Sequence, residues 1–429
     1  MLLTAPAAAT DHSRATARAI SADVTSDPAL SLSLHADLAS VETVWRAFEA
    51  GADCTPFQMF AWHRAWQDNV GAPRGVKPAI VVVRHRGRLA LLLPLAAERT
   101  PLGRRLVWHG AELCDYNGPL LAPDFDEMVR PGEFAALWRA VVTLISDNRN
   151  LRCDFVVLER MAERIGRQRN PFLALGVTVN PTGAHHMTMR GSWQQFYRGK
   201  RSSATRRHDR SKRKRLAEYG EIRFLSAETP CETRATLETL FAQKQASFAA
   251  RGVPDFLARP GVREFFRAVA CDPSLRGTVH VSRLAVGEST TAANLGFVFR
   301  GRYYHVLASY QAGDIARFGP GTAHLHDLMD YALGRGCSEF DFTIGDETYK
   351  RDWCDVAERL IDFREGLSAR GSVAVGAAAA AMQAKRVIKQ SPTLWAAFSH
   401  GRRWLRYFSG ATHHSGAVSG GAAAEVSGQ

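Results

Sequence analysis

Between Leu295 and Trp353 the chain reads as two strands, a glycine-proline turn, a helix, a third strand and a dense polar cluster. That order restricts the segment to an α/β unit with a ligand site at its strand ends, because in such folds ligands collect beyond the carboxyl ends of the strands. Leu295 to Phe299 and Tyr303 to Leu307 are β-rich runs split by Arg300-Gly-Arg302, a hairpin signal. Arg317-Phe-Gly-Pro-Gly-Thr322 opens a helical pattern over Ala323 to Arg335, and the free N–H groups at such a start favour an anion. After Gly336 comes a strand, Ser338 to Thr343, and then Gly345-Asp-Glu-Thr-Tyr-Lys350.

A chain of 429 residues is too long for one ordinary core, so two domains with tails are expected. The boundaries read as a disordered lead over 1–29, a first unit over 30–189, a catalytic unit over 190–370 and a tail over 371–429. The tail passes from an Ala/Gly run into basic and aromatic residues and ends rich in Gly, Ala and Ser. In the first unit, Ala79 to Arg84 and Leu89 to Leu95 form a hairpin, the loop Asp115-Tyr-Asn-Gly-Pro119 comes next, then a helix over Pro131 to Asn148 and a strand from Cys153. The second unit repeats this order, which points to two related α/β units in tandem.

Seven cysteines without a C-x-x-C pair suit a reducing compartment. Neither a signal peptide nor about 18 uncharged apolar residues in a row is legible, so the expected location is cytoplasmic, with the inner membrane face as a second possibility. No H-E-x-x-H or Cys/His cluster suggests a metal, and no G-x-S-x-G elbow suggests a serine hydrolase.

The net charge, 55 minus 42 or +13, is concentrated. Between Arg198 and Arg215 lie ten Lys or Arg, and Arg206, Arg210 and Lys214 repeat at four-residue intervals, a self-repelling helix face unless an anion lies against it. An anionic acceptor, an anionic membrane surface and a solvated face pairing with Asp209, Glu218 and Glu221 all fit this run. No recognised nucleic-acid module surrounds it, so nucleic acid is not the expected partner, and nothing sets an oligomeric state.

The segment Glu339-Phe-Asp-Phe-Thr-Ile-Gly-Asp-Glu-Thr-Tyr-Lys-Arg-Asp-Trp353 resembles the signature of the CelD-like acyltransferases of cellulose and exopolysaccharide biosynthesis. That family belongs to the GNAT superfamily, with the Fem aminoacyltransferases as relatives. The resemblance runs from about Trp193 to Phe363 and implies two tandem GNAT-like units, an α/β (α+β) fold of mixed sheets flanked by helices. It also implies acyl-CoA or acetyl-CoA as co-substrate, without a metal, and a sugar, glycolipid or other cell-envelope precursor as acceptor. The turn at Arg317 then corresponds to the superfamily's pyrophosphate loop, with Gly319, Gly321 and Thr322 as phosphate donors and Arg317 lending charge. Arg317 stands one residue closer to Gly319 than the usual pattern has it.

A thioester acyl transfer needs a base near the attacking group and a positive or N–H donor near the developing oxyanion. Asp346 or Glu347 is the candidate for the first and Lys350 for the second. Asp341 is a further candidate or an orienting group, and Arg206, Arg210, Tyr349 and His305 are the candidate acceptor contacts. The competing reading of the cluster is a salt-bridged helix cap. The competing functions are Fem-like aminoacyl transfer from charged tRNA and a degenerate scaffold in polysaccharide assembly.

Overall fold

A computed structural model describes residues 29–345 and 347–390. The first half runs through β1 (Leu30–His35), α1 (Glu42–Glu49), α2 (Phe60–Trp66), β2 (Lys77–His85), β3 (Arg88–Thr100), β4 (Gly103–Trp108) and β5 (Leu120–Leu121). It continues through α3 (Phe125–Met128), α4 (Phe134–Asp147), β6 (Phe155–Ala162), the short β7 (Arg164–Ile165) and β8 (Gln168–Arg169), and β9 (Val177–Val179). Next come β10 (Ala184–Thr188), α5 (Trp193–Lys200), α6 (Ser203–Ala217), β11 (Ile222–Ser226), α7 (Pro230–Arg251), α8 (Val262–Cys271), β12 (Val279–Val286) and β13 (Ser289–Phe299). The remainder is β14 (Arg302–Tyr310), α9 (Pro320–Gly334), β15 (Glu339–Ile344), α10 (Thr348–Arg351), β16 (Val356–Glu358), β17 (Leu360–Gly366) and α11 (Ala369–Gln390).

The apolar runs of β2 and β3 are continuous because helices cover both faces of their sheet. Val81, Val83, Leu91 and Leu93 pack with the α4 side chains Leu137, Val141 and Leu144, whereas Ile80, Val82 and Leu92 pack with Trp45 of α1 and Phe60 of α2. Arg86 and Gly87, both at positive φ, make the turn between the two strands.

The two large sheets have the same strand order. The first is β1-β2-β3-β4-β6-β17-β9, with β5 beside β3, and the second is β11-β12-β13-β14-β15-β10-β16. In each, the first four strands are antiparallel, the fourth and fifth are parallel, and the sixth is again antiparallel to the fifth. This is a mixed α/β architecture with two like sheets, as the sequence suggests.

The expected boundary between residues 189 and 190 does not separate the sheets. β10, from the first expected unit, joins the second sheet, and β17, from the expected catalytic unit, joins the first. The exchange covers the edge that each fifth strand would otherwise leave open, and it is invisible to local periodicity because each strand's partners lie far away in sequence. Nor does the tail begin at residue 371: α11 starts at Ala369, and Gly371 lies so close to the Asp154 carbonyl that a Cβ there would sit 1.7 Å from it. A shared apolar cluster joins the halves, with Trp62 of α2 edge-on to Phe265 of α8 at 4.8 Å between ring centroids.

Candidate active site

The parallel pairing of β14 with β15 covers only Arg302 to Tyr304 opposite Glu339 to Asp341. Beyond it β14 runs on to Tyr310 and β15 to Ile344, so the two strands part and leave a gap at their carboxyl ends. On the β13 side, Leu295 pairs with Leu307 and Gly296 with His305, which leaves Val306 as an extra residue in β14. A bulge of this kind disrupts the ladder locally and leaves the extra residue unpaired. Gly296 permits it, since a Cβ there would approach the Tyr304 carbonyl to 2.5 Å.

At the far end of the gap β15 turns sharply. Thr343 is left-handed at φ 59°, an unusual conformation for a β-branched residue, and Gly345 comes soon after at φ 121°. The Thr343 N–H donates to Asp341 Oδ1 at 2.7 Å. Asp341 is fully buried, and its two oxygens also accept from Tyr116 Oη at 2.9 and 3.0 Å and from Arg302 at 3.1 Å. Burial raises the Asp341 carboxyl, against the opposing pull of Arg302, the Thr343 N–H and Tyr116. Asp341 therefore holds the turn from behind and does not face the gap. Asp115, beside Tyr116, hydrogen-bonds Thr343; burial lifts its carboxyl to about 6, with Arg160 and Lys350 drawing it down.

The turn frames Lys350. Its side chain is 4% exposed, and Nζ donates to the Ile344 carbonyl at 2.6 Å and pairs with Glu347 Oε2 at 2.9 Å. A Cβ on residue 345 would sit 3.0 Å from that Nζ and 2.4 Å from Glu347 Oε2, so glycine is needed for the loop to close over the ion pair. Burial alone would raise the Glu347 carboxyl, but the hydrogen bond and charge of Lys350 prevail and hold it below the ordinary value. Glu347 is 57% exposed and Tyr349 40% exposed at the mouth. Asp346 lies outside the described residues.

His305 lies in the gap with its ring 5.9 Å from Phe340 and 6.1 Å from Phe342. Burial, with the charges of Lys350 and Lys244 added, pushes its pKa down to about 3, so it is neutral. Lys244, on α7, is itself lowered by burial and then by Arg251 and Lys350. The sequence reading missed Lys244, Asp115 and Tyr116. Lys244 carries no motif, and the Asp115 loop looks like any other turn until the first half is folded against the second.

A cavity of about 300 Å³ lies at the start of α9, lined by Trp193 and Tyr197 of α5, Arg210, Lys212 and Arg213 of α6, and Gly319 and Thr322. Gly319 is left-handed at φ 66° and Pro320 takes the first helical position. The backbone N–H groups of Gly321 and Thr322 have no acceptor among the described residues. Arg213 pairs with Asp327 at 3.2 Å, and Asp209 is taken by the Tyr197 hydroxyl. Arg210 and Lys212 have no acidic partner among the described residues. Of the expected phosphate residues, Gly319 and Thr322 line this cavity, and Arg210, expected as an acceptor contact, lines it with them. Arg206 does not join them, because its guanidinium donates to the Arg198 carbonyl at the end of α5 at 2.7 Å. Arg317 is exposed and lies over the Phe318 ring.

Residues 203–351 match the family model described as an acetyltransferase (GNAT) domain. The matched span lies in the second half of the chain, from the start of α6 to the end of α10. The fold extends further, since the crystal structure of FemX superimposes with a TM-score of 0.51 at 10% identity, covering 76% of this chain and 96% of FemX. A conserved protein of unknown function from Bacteroides thetaiotaomicron has a TM-score of 0.48 at 10% identity, covering 77% of this chain and 98% of that one. A tandem GNAT protein from the clavulanic acid biosynthesis pathway has 0.41 at 14% identity, covering 79% of this chain and 98% of that one. No curated protein matches the chain in sequence. Among the described residues there is no cluster of metal ligands, and no helix is long and apolar enough to cross a membrane.

Proposed function

We propose that the GNAT domain transfers an acyl group from acyl-CoA, in the simplest case acetyl-CoA, to an amine or hydroxyl of a sugar or cell-envelope precursor. The observation that carries this reading is that the β14–α9 turn, with two unpaired backbone N–H groups beside Arg210 and Lys212, belongs to the same strand that parts from β15 in front of Lys350. The helix start and its basic neighbours suit a diphosphate, and the gap suits the acyl arm reaching towards Lys350. The sugar or envelope acceptor rests on the resemblance to CelD-like proteins.

In this mechanism the acceptor attacks the thioester carbon directly, the C–S bond breaks, and the CoA thiolate leaves and takes up a proton. Charge develops on the carbonyl oxygen, and the Lys350 ammonium is the donor for it, with the backbone at the Val306 bulge as the second candidate. The attacking amine becomes strongly acidic only after its bond to carbon has formed. A carboxylate as weakly basic as Glu347 is then sufficient to take the proton. Tyr349, its phenol kept protonated by burial, contacts the acceptor at the mouth.

The test is calorimetry of the purified protein with acetyl-CoA and longer acyl-CoAs, and then a thiol-release assay with amino sugars. Saturable CoA binding and acceptor-dependent thiol release are expected. Transfer from aminoacyl-tRNA without acyl-CoA binding would replace this reading with the aminoacyl one, and binding without any transfer would leave a scaffold.

A further inference from the structure

A second concave site lies in the first half, at the amino ends of β4 and β6. This cleft, of about 700 Å³, is lined by Arg99, Arg104, Arg149, Arg152 and Arg370, with Asp154 as the single carboxylate. We infer that it is an anion-binding site for a ligand bearing adjacent phosphate groups, such as a soluble diphosphate or a lipid headgroup presents.

Two of the arginines build the cleft. Arg104 donates to the carbonyls of Asn150 at 2.9 Å and Arg152 at 3.3 Å, closing the turn after α4, and Arg370 donates to the Pro101 carbonyl at 3.2 Å. Asp154 is also committed to the framework, accepting from the Arg104 N–H at 2.9 Å and the Ser368 hydroxyl at 3.1 Å. Gly103 and Gly371 let these segments converge, since a Cβ would stand 2.6 Å from Asp154 Oδ2 in the first case and 1.7 Å from its carbonyl in the second.

Arg99, Arg149 and Arg152 remain exposed around the cleft, their side chains without a hydrogen bond or ion pair among the described residues. Three stretches remote in sequence bring the five arginines around one hollow, against the single negative charge of Asp154. A solvated basic face would spread such charges, whereas a concave wall focuses their field on whatever enters. Guanidinium groups match phosphate oxygens two at a time, which is why arginine suits this ligand better than lysine. Nothing in acyl transfer by the other half uses this cleft.

Equilibrium dialysis with pyrophosphate, comparing the whole protein with an Arg99→Gln/Arg149→Gln/Arg152→Gln variant, tests the site. Because the three side chains are exposed and unpaired, the variant should melt at the same temperature as the parent. It is expected to bind one pyrophosphate fewer per chain while its CoA affinity is unchanged, so failure here is distinct from failure of the acyl-transfer reading. Sedimentation with phosphatidylcholine vesicles, with or without cardiolipin, whose headgroup carries two phosphates, separates the sources. A loss confined to pyrophosphate assigns a soluble ligand, and a loss of cardiolipin-dependent capture as well assigns a lipid headgroup. Unchanged pyrophosphate binding overturns the site.

Discussion

In the first half the parallel pair β4 and β6 opens onto a long connection, residues 109–133, before α4 begins at Phe134. In the second, β14 and β15 open onto a short turn ending in Gly319 and Pro320. Even the irregularities correspond. Arg160 in β6 and Thr343 in β15 both take positive φ where the sixth strand shifts register, and the N–H of each donates to an aspartate, Asp362 or Asp341. The halves diverge in the chain just beyond these kinks. The β15 kink leads into Gly345 and Lys350, whereas the β6 kink leads into the β7–β8 hairpin, and α4 starts on an apolar residue with no glycine directly before it. One topology has thus been kept for two purposes: in the second half the strand ends carry candidate chemistry, and in the first the same end sends Asp115 and Tyr116 across to brace that chemistry.

The largest effect expected is at Lys350. Lys350→Met should lower turnover by roughly a hundredfold or more, the scale for losing one well-placed oxyanion donor, while CoA affinity holds. In the first half, Glu163→Gln, beyond the β6 kink, should leave turnover unchanged. Normal turnover in a stable Lys350→Met protein would erase the distinction between the halves.

Next in size is the helix start. A side chain at residue 321 would place Cβ 3.2 Å from Tyr310 and crowd the unpaired N–H groups. Gly321→Val should weaken CoA binding by about tenfold, whereas Ala135→Val at the start of α4 should not, as calorimetry would read. Equal CoA affinity in all three proteins would misplace the phosphate site.

The brace between the halves should matter less. Tyr116→Phe removes one donor to the buried Asp341, at a cost of about 1 kcal/mol in denaturant unfolding, and turnover should fall with it. Unchanged stability and turnover would mean that the two halves are coupled elsewhere.

The smallest effect is a pH dependence from the same seam. Burial raises Glu358 from 4.5 to about 7 and Asp115 from 3.8 to about 6, with the Asp341 charge also acting on Glu358. A folded state that holds these protons more tightly than the unfolded chain is at its best below the unfolded values and loses stability as pH rises through the folded ones. The melting temperature should therefore drift down between about pH 4 and 7, and Glu358→Gln should flatten the upper part of that drift. An identical slope in that variant would place the titration in another residue.

Much of the second sheet was legible because it is written locally. The alternating runs of β13 and β14, the Gly-Pro start of α9 and the string ending at Trp353 are each contained within a few residues; the expected strand from Leu295 began six residues inside β13, and the ends of the other two fell within three positions of β14 and β15. Arg206 and Arg210 show where such reading ends. They sit one helical turn apart and look equivalent, yet the end of α5 takes up the first and leaves the second in the cavity. Asp341 similarly read as part of the polar cluster, but strand alternation turns it into the core.

The residues alone carried the α/β class and the tandem repeat and raised the helix start at Gly319 as a candidate anion site, since hydrophobic period, turn chemistry and charge act over one or two turns of chain; Lys350 stood out through the family resemblance. Which sheet β10 and β17 enter, that Tyr116 meets an aspartate 225 positions away, and that five scattered arginines share one cleft could not be read there. Those outcomes depend on edges that must be covered and on segments that approach only after the chain has closed on itself. The energies that decide them are contacts between distant residues, for which local pattern carries no signal.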